Sequence, residues 1–108
     1  MRRAARTVSK YKAIKTEVDG VAFHSRKEAN RYRELKLLEK CGKISELGLQ
    51  PRWPIFINNM LICYYIADFR YYESGEWIIE DVKGMKTPIY NLKKKLIKAI
   101  YGIDILET

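Results

Sequence analysis

The sequence predicts an α/β protein with a mixed α+β sheet. Its expected order is a helix, an antiparallel three-strand meander, a second helix and a last strand, with a small N-terminal hairpin in front. Two stretches of helical periodicity flank three runs of strand length, and an Asp-Gly pair precedes them all. A chain of 108 residues with 47% hydrophobic side chains can bury one core and is too short for two. We therefore expect a flexible basic arm at residues 1–10 and a single domain at residues 11–108.

The first elements are a hairpin and a helix. Asp19-Gly20 stands between apolar and polar residues, which is a strong hairpin signal. Ser25 and Glu28 have the spacing of a capping box, so a helix is predicted from there to about Cys41, with Gly42 after its end.

Three strands are predicted next, at residues 50–57, 61–71 and about 76–83. Asn58-Asn59 and the stretch 73–76 are the turns between them. The middle run is apolar on both faces, as expected for a strand covered by helices. The short stretch 43–49 before them connects the first helix to the meander and could contain a brief strand.

The second helix is predicted from about Pro88 to Tyr101, because Thr87-Pro88 combines an N-cap residue with a proline at the first helical position. Gly102 ends it, and residues 103–106 can return as a strand. After a helical crossover this strand would lie parallel to its neighbour.

Charge is the strongest compositional signal. The net charge is +8, and the first 16 residues carry six basic side chains and no acidic one. Such a surplus favours nucleic acid as the partner over an acidic membrane surface. No stretch is apolar enough to span a membrane, so we expect a cytoplasmic protein. The side chains expected to bind nucleic acid are Arg2, Arg3, Arg6, Lys10, Lys12, Lys86, Lys93 and Lys94.

The two cysteines, Cys41 and Cys63, lack the paired spacing of a zinc site, and His24 is the only histidine. We therefore expect no zinc.

Three ionisable residues interrupt the apolar strands: Asp68, Asp81 and Lys83. The two-residue period of a strand places Asp81 and Lys83 on one face and Glu80 on the other. Charged groups on buried strands are costly unless a metal, a partner charge or a reacting phosphate compensates them. A bulge could exchange Glu80 and Asp81, so that choice stays open.

This set suits phosphodiester hydrolysis assisted by a divalent ion such as Mg²⁺. Mg²⁺ commonly takes one or two protein carboxylates, here Asp68 and Asp81, and the backbone carbonyl of Val82 could add an oxygen. Lys83 would orient water or stabilise the transition state. Glu28 lies on the inward face of the first helix, where it either caps the helix with Ser25 or completes the metal site.

The pattern resembles the PD-(D/E)xK nuclease superfamily, and most of all its small phage endonucleases of the Holliday-junction-resolvase, endonuclease I-like type. The residues that carry the resemblance are Phe23 to Glu28 with Tyr32 and Leu35, then Gln50-Pro51, Ala67-Asp68-Phe69 and Glu80 to Gly84. Ala67 replaces the proline of the motif, and Asp81 stands where this branch more often has Glu.

The resemblance implies a restriction-endonuclease-like core and a Mg²⁺- or Mn²⁺-dependent endodeoxyribonuclease. Its catalytic and metal residues would be Asp68, Asp81, Lys83 and Glu28, with Gln50 as an active-site neighbour. It also implies branched or duplex DNA as substrate, a role in phage DNA recombination in the host cytosol, and a homodimer that makes two coordinated cuts. The alternative is a non-catalytic basic module that binds DNA or RNA, in which the acids only form structural ion pairs.

Overall fold

The computed structural model describes residues 16–108. The chain divides into two compact units, Met1–Glu34 and Leu35–Thr108, and each is described by itself. The basic arm predicted at residues 1–10 lies outside the described residues, as do residues 11–15.

The N-terminal unit contains the predicted hairpin. Strands β1 (Thr16–Val18) and β2 (Val21–Phe23) pair antiparallel. Asp19 and Gly20 both have positive φ, at 52° and 80°, which is the turn geometry that matches the twist of two short strands.

Helix α1 spans Arg26–Lys40. The Ser25 hydroxyl accepts the backbone N–H of Glu28 at 3.1 Å, which satisfies one of the first-turn donors. Within the N-terminal unit, the rings of Tyr32 on the helix and Phe23 on β2 lie 4.9 Å apart. Gly42 follows the helix with a φ of 79°, a left-handed conformation that most side chains disfavour.

The second unit contains the last part of α1, followed by a long, bent antiparallel hairpin. Its four strands are β3 (Ser45–Leu49), β4 (Arg52–Ile57), β5 (Met60–Ile66) and β6 (Phe69–Glu73). Strand β3 pairs with β6, and β4 pairs with β5. The bend lies at Gln50-Pro51 and Ala67-Asp68, where two backbone hydrogen bonds of 3.0 Å, Gln50 N–H to Asp68 O and Ala67 N–H to Pro51 O, keep the register continuous.

This bend corrects two of our predictions. The expected continuous strand 61–71 is wrong, because it breaks at Ala67-Asp68 and its halves belong to different sheets. The expectation that it is covered on both faces is wrong too, since Ile62 and Ile66 of β5 are about half exposed, at 54% and 52%. An apolar run shows that a strand forms but does not show what covers each of its faces.

The remaining elements complete a four-stranded mixed sheet. Strand β7 (Glu76–Asp81) pairs antiparallel with β6. Helix α2 (Pro88–Tyr101) follows, with the Thr87 hydroxyl accepting Tyr90 N–H and Gly102 at its end. Strand β8 (Ile105–Glu107) then pairs with β7 in parallel, as predicted. The sheet order is β3-β6-β7-β8.

The core of the second unit joins the two sheets and α2. Its buried members are Ile55, Tyr65, Ala67, Ile79, Tyr90, Ile97 and Ile105. The predicted fold class, a small α+β arrangement with a mixed sheet, two helices and an N-terminal hairpin, is confirmed. Within residues 16–108, neither helix is long and apolar enough to cross a membrane.

Candidate active site

The site is built around Asp81, the last residue of β7, whose side chain is 1% exposed. Both of its carboxylate oxygens accept hydrogen bonds. Oδ2 accepts the hydroxyl of Tyr65 from β5, and Oδ1 accepts the backbone N–H of Asp68 at 3.0 Å. Strand β7 therefore delivers a carboxylate to the point where the long hairpin bends.

Asp68 lies at that bend, between β5 and β6. Its Oδ2 accepts the backbone N–H of Val82 at 2.8 Å, while its own N–H binds Asp81. The two aspartates thus hold each other's segments through reciprocal side-chain to backbone hydrogen bonds. This exchange brings two carboxylates together on neighbouring segments.

Lys83 completes the cluster. Its Nζ lies 3.7 Å from Asp81 Oδ2, and the side chain is 24% exposed. The strand assignment ends at Asp81, yet parallel pairing with β8 continues: Thr108 N–H donates to Asp81 O at 3.0 Å, and Lys83 N–H donates to Thr108 O at 3.1 Å. The extended backbone that this pairing maintains keeps Lys83 beside Asp81.

Two tyrosines that the sequence analysis did not single out belong to the site. Tyr65 donates to Asp81, and the ring centroid of Tyr90 lies 4.1 Å from Lys83 Nζ. Such proximity of an ammonium to an aromatic face is favourable. Tyr65 lies within an apolar run, and Tyr90 lies in the first turn of α2, which Thr87-Pro88 predicted without assigning a role to the tyrosine.

Tyr90 is fixed in turn by Glu107 of β8. Its hydroxyl donates to Glu107 Oε2 at 2.7 Å, and Lys94 Nζ lies 3.0 Å from the same oxygen. Lys86 Nζ lies 2.9 Å from Glu107 Oε1. Two of the lysines predicted to bind nucleic acid, Lys86 and Lys94, are therefore paired with one carboxylate beside the site.

The surroundings of Asp81 disfavour the ionised form of its carboxyl group. Burial, followed by repulsion from Asp68, raises the pKa of Asp81 from 3.8 to about 6, although the Tyr65 hydroxyl and Lys83 oppose this. Burial and the carboxylate of Asp81 raise the pKa of Tyr65, so the hydroxyl stays a donor. A cation next to both aspartates would relieve the repulsion between them.

Glu80 occupies the other face of β7 and is fully buried. Its Oε1 accepts the Tyr71 hydroxyl at 2.6 Å, and its Oε2 accepts the Thr108 hydroxyl at 2.9 Å. The backbone oxygen of Glu80 accepts Asp68 N–H at 3.2 Å, but only the side chain of Asp81, and not that of Glu80, binds Asp68 and lies near Lys83. The alternation expected from the strand period is present at this end of β7.

Other predicted site residues are placed as follows. The backbone N–H of Gln50 donates to the backbone oxygen of Asp68, and Gln50 is exposed. Glu28 is buried in the first turn of α1 and belongs to the N-terminal unit. Its assignment to the metal site stays a prediction, as does that of the Val82 carbonyl. Arg2, Arg3, Arg6, Lys10 and Lys12 lie outside the described residues.

The donor chemistry of the aspartate pair suits a hard divalent cation, because Mg²⁺ and Mn²⁺ prefer carboxylate oxygens. In the part of the chain from 16 to 108, no group of three or more His, Cys, Asp or Glu side chains is arranged to hold a metal. The two cysteines are free thiols, Cys41 exposed and Cys63 partly buried.

Comparison with protein families gives a match over most of the chain. A family model described as a protein of unknown function, DUF1064, matches residues 8–105. Neither a curated protein nor a solved structure is significantly similar to the chain.

Proposed function

Because the chain belongs to the DUF1064 family, whose description assigns no function, we propose a function from the site itself: a metal-dependent endonuclease that hydrolyses phosphodiester bonds of branched DNA. The observation that carries the proposal is the convergence of Asp68, Asp81 and Lys83 at the end of β7. Two acids beside a negatively charged ligand bring no advantage to a protein that only binds DNA.

Asp68 and Asp81 would hold the Mg²⁺ or Mn²⁺ ion. Two carboxylates match the number that Mg²⁺ usually takes from a protein. When bound, such an ion neutralises charge on the phosphate and makes water a better nucleophile. The hydrogen bonds from Tyr65, Asp68 N–H and Val82 N–H hold the carboxylate oxygens in place before any ion arrives.

Lys83 supplies the positive charge that stabilises the negative charge developing on the phosphate oxygens. Its ammonium lies between the Asp81 carboxylate and the face of Tyr90. These two contacts restrict a long side chain that would otherwise sample many rotamers. Lys83 therefore meets the substrate in a defined position.

The preference for branched DNA rests on the resemblance to junction-resolving endonucleases and on the net charge of +8. Resolution of a four-way junction requires two cuts, so the proposal includes a homodimer with two-fold symmetry. It also includes action in the cytoplasm, where phage DNA is processed.

The test is incubation of the protein with labelled four-way junction, flap and linear duplex DNA, in Mg²⁺, Mn²⁺ or EDTA. We expect cleavage only with a divalent ion and fastest on the junction. Asp81→Asn should reduce cleavage by at least about a hundredfold, since several kcal/mol of charge stabilisation depend on the metal site. DNA binding by this variant should be intact or tighter, because a negative charge is removed.

Glu80→Gln is the matched control, since it changes a neighbouring buried acid that faces Tyr71 and Thr108. It should retain cleavage, provided that its melting temperature shows a folded protein. An active Asp81→Asn combined with an inactive Glu80→Gln would refute the site. DNA binding without cleavage in either metal would instead favour the non-catalytic binding module.

A further inference from the structure

Beside the carboxylates lies a cavity of about 230 Å³. Lys83 and Lys93 line it together with Tyr64, Tyr65 and Tyr90. Lys83 belongs to the site already described, so the cavity opens directly next to the proposed reaction centre. We call it the Lys93 cavity.

Lys93 differs from Lys94 and Lys98, two other lysines of α2. Lys94 pairs with Glu107 at 3.0 Å, and Lys98 pairs with Asp104 at 2.9 Å. No carboxylate of residues 16–108 forms an ion pair with Lys93, which is partly buried, and residues 1–15 contain no Asp or Glu. A partly buried ammonium without a counter-charge favours the arrival of an anion.

The walls of the cavity indicate what kind of anion it takes. Tyr64 supplies the accessible ring, since it is 37% exposed whereas Tyr65 and Tyr90 are buried. The guanidinium of Arg52, which does not line the cavity, lies 4.6 Å from the centroid of the Tyr64 ring. An exposed tyrosine ring beside ammonium groups suits a nucleotide, because a base or sugar can pack on the ring while an ammonium contacts phosphate. The volume is below that of pockets for drug-sized molecules, which limits the occupant to about one nucleotide unit.

We propose that the Lys93 cavity binds the nucleotide next to the scissile phosphate, with the Lys93 ammonium on its phosphate. This inference rests on the proposed function, since it assumes that the DNA strand crosses the carboxylate pair. It adds a second anchoring point, so that one nucleotide of the strand is held while the neighbouring linkage faces Asp68 and Asp81. Lys93 then contributes to substrate binding and not to the chemical step.

The experiment measures binding of a fluorescein-labelled four-way junction in EDTA, by anisotropy at several salt concentrations, for wild type, Lys93→Gln, Lys93→Arg and Lys95→Gln. Lys95→Gln is the matched control, because it removes the same charge from the same helix at an exposed position that does not line this cavity. We expect Lys93→Gln to weaken binding several-fold and to reduce the salt slope by about one, as expected for one lost phosphate contact. Lys93→Arg should restore most of the affinity, and Lys95→Gln should change it less than twofold.

Equal effects of Lys93→Gln and Lys95→Gln would overturn the inference, because they would reflect only the overall positive charge of α2. Failure of the wild type to bind the junction would overturn it too. If wild type binds and Lys93→Gln has the expected effect but Mg²⁺ and Mn²⁺ produce no cleavage, the endonuclease proposal fails while the nucleotide site stands. Where cleavage occurs, Lys93→Gln should raise KM and leave kcat unchanged.

Discussion

Asp81 illustrates how a single residue can be well ordered and electrostatically unfavourable at once. It accepts hydrogen bonds from Tyr65 and Asp68 N–H, and yet burial and the nearby Asp68 carboxylate oppose its ionisation. Groups with shifted pKa values and specific charged neighbours are frequent at functional sites. The same shift makes stability depend on pH.

We predict that Asp81→Asn stabilises the protein in EDTA more at pH 8 than at pH 4. The folded state binds the Asp81 proton more tightly than the unfolded state, because the pKa of Asp81 is raised from 3.8 to about 6. Stability should therefore fall as the pH rises through this interval and stay low above it. The increase in the free energy of unfolding caused by Asp81→Asn should be about 1–3 kcal/mol larger at pH 8 than at pH 4, as measured by urea unfolding.

Comparing two pH values isolates the part of the variant's effect that depends on the ionisation of Asp81. Asp104→Asn is the control, because the Asp104 carboxylate is 82% exposed and pairs with Lys98. The effect of Asp104→Asn on the free energy of unfolding should not be more favourable at pH 8 than at pH 4. An equal gain for Asp81→Asn at both pH values would contradict the burial argument.

At the scale of elements, the parallel contact of β7 with β8 and the packing of α2 determine the position of Lys83. Thr108 holds the backbone on both sides of Val82, and Tyr90 of α2 faces the Lys83 ammonium. Glu107 connects these parts, because it binds Tyr90 and Lys94 of α2 and also Lys86. The site therefore depends on a contact between α2 and β8 that contains none of the proposed metal ligands.

We predict that Glu107→Gln lowers the melting temperature at pH 7 and that this loss shrinks in acid. Hydrogen bonds from Tyr90, Lys86 and Lys94 lower the pKa of Glu107 from 4.5 to about 2. The stabilisation by its carboxylate is thus fully present above pH 4.5 and lost as the pH falls towards 2. Thermal unfolding followed by circular dichroism from pH 7 to pH 2.5 measures it.

Glu107→Gln should also slow cleavage without removing it, because Tyr90 keeps its ring but loses a charged acceptor. Glu73 is the last residue of β6, next to a turn. Glu73→Gln therefore provides a control for the loss of one acidic charge. A melting-temperature loss that stays constant across the pH range would argue against the carboxylate as its source.

At the scale of the whole molecule, the surplus of basic residues is the dominant property. Six of the basic side chains fall within the first 16 residues, which contain no Asp or Glu. Acids partly neutralise the basic residues elsewhere: Lys86 and Lys94 share Glu107, and Lys98 pairs with Asp104. The N-terminal residues are therefore expected to contribute strongly to the salt-dependent part of DNA binding.

We predict that deletion of residues 1–8, which removes Arg2, Arg3 and Arg6, weakens junction binding and flattens its salt dependence. If all three contact phosphates, the slope of log K against log salt should fall by about 2–3. Anisotropy titrations between low and moderate salt measure this. A full-length variant with the three arginines changed to glutamine should behave like the deletion, and an unchanged slope in both would exclude these residues from the contact.

Local sequence signals predicted the helices, the N-terminal hairpin and much of the site's local geometry, but not the division of residues 61–71 into two strands. Capping residues, turn pairs and apolar period are local signals, so both helices and the Asp19-Gly20 hairpin were predictable. The strand period also placed Asp81 and Lys83 on the side opposite to Glu80, because alternation is a property of the extended backbone itself.

Which distant segments meet depends on the packing of the whole chain. The break at Ala67-Asp68, the pairing of β3 with β6 and the position of Tyr90 against Lys83 depend on contacts between residues far apart in sequence. The roles of Tyr65 and Glu107 could not be predicted either, because both depend on hydrogen bonds to residues far away in the sequence. Local propensity specifies the backbone of each element, whereas burial and hydrogen-bond satisfaction are properties of the packed chain and select the partners.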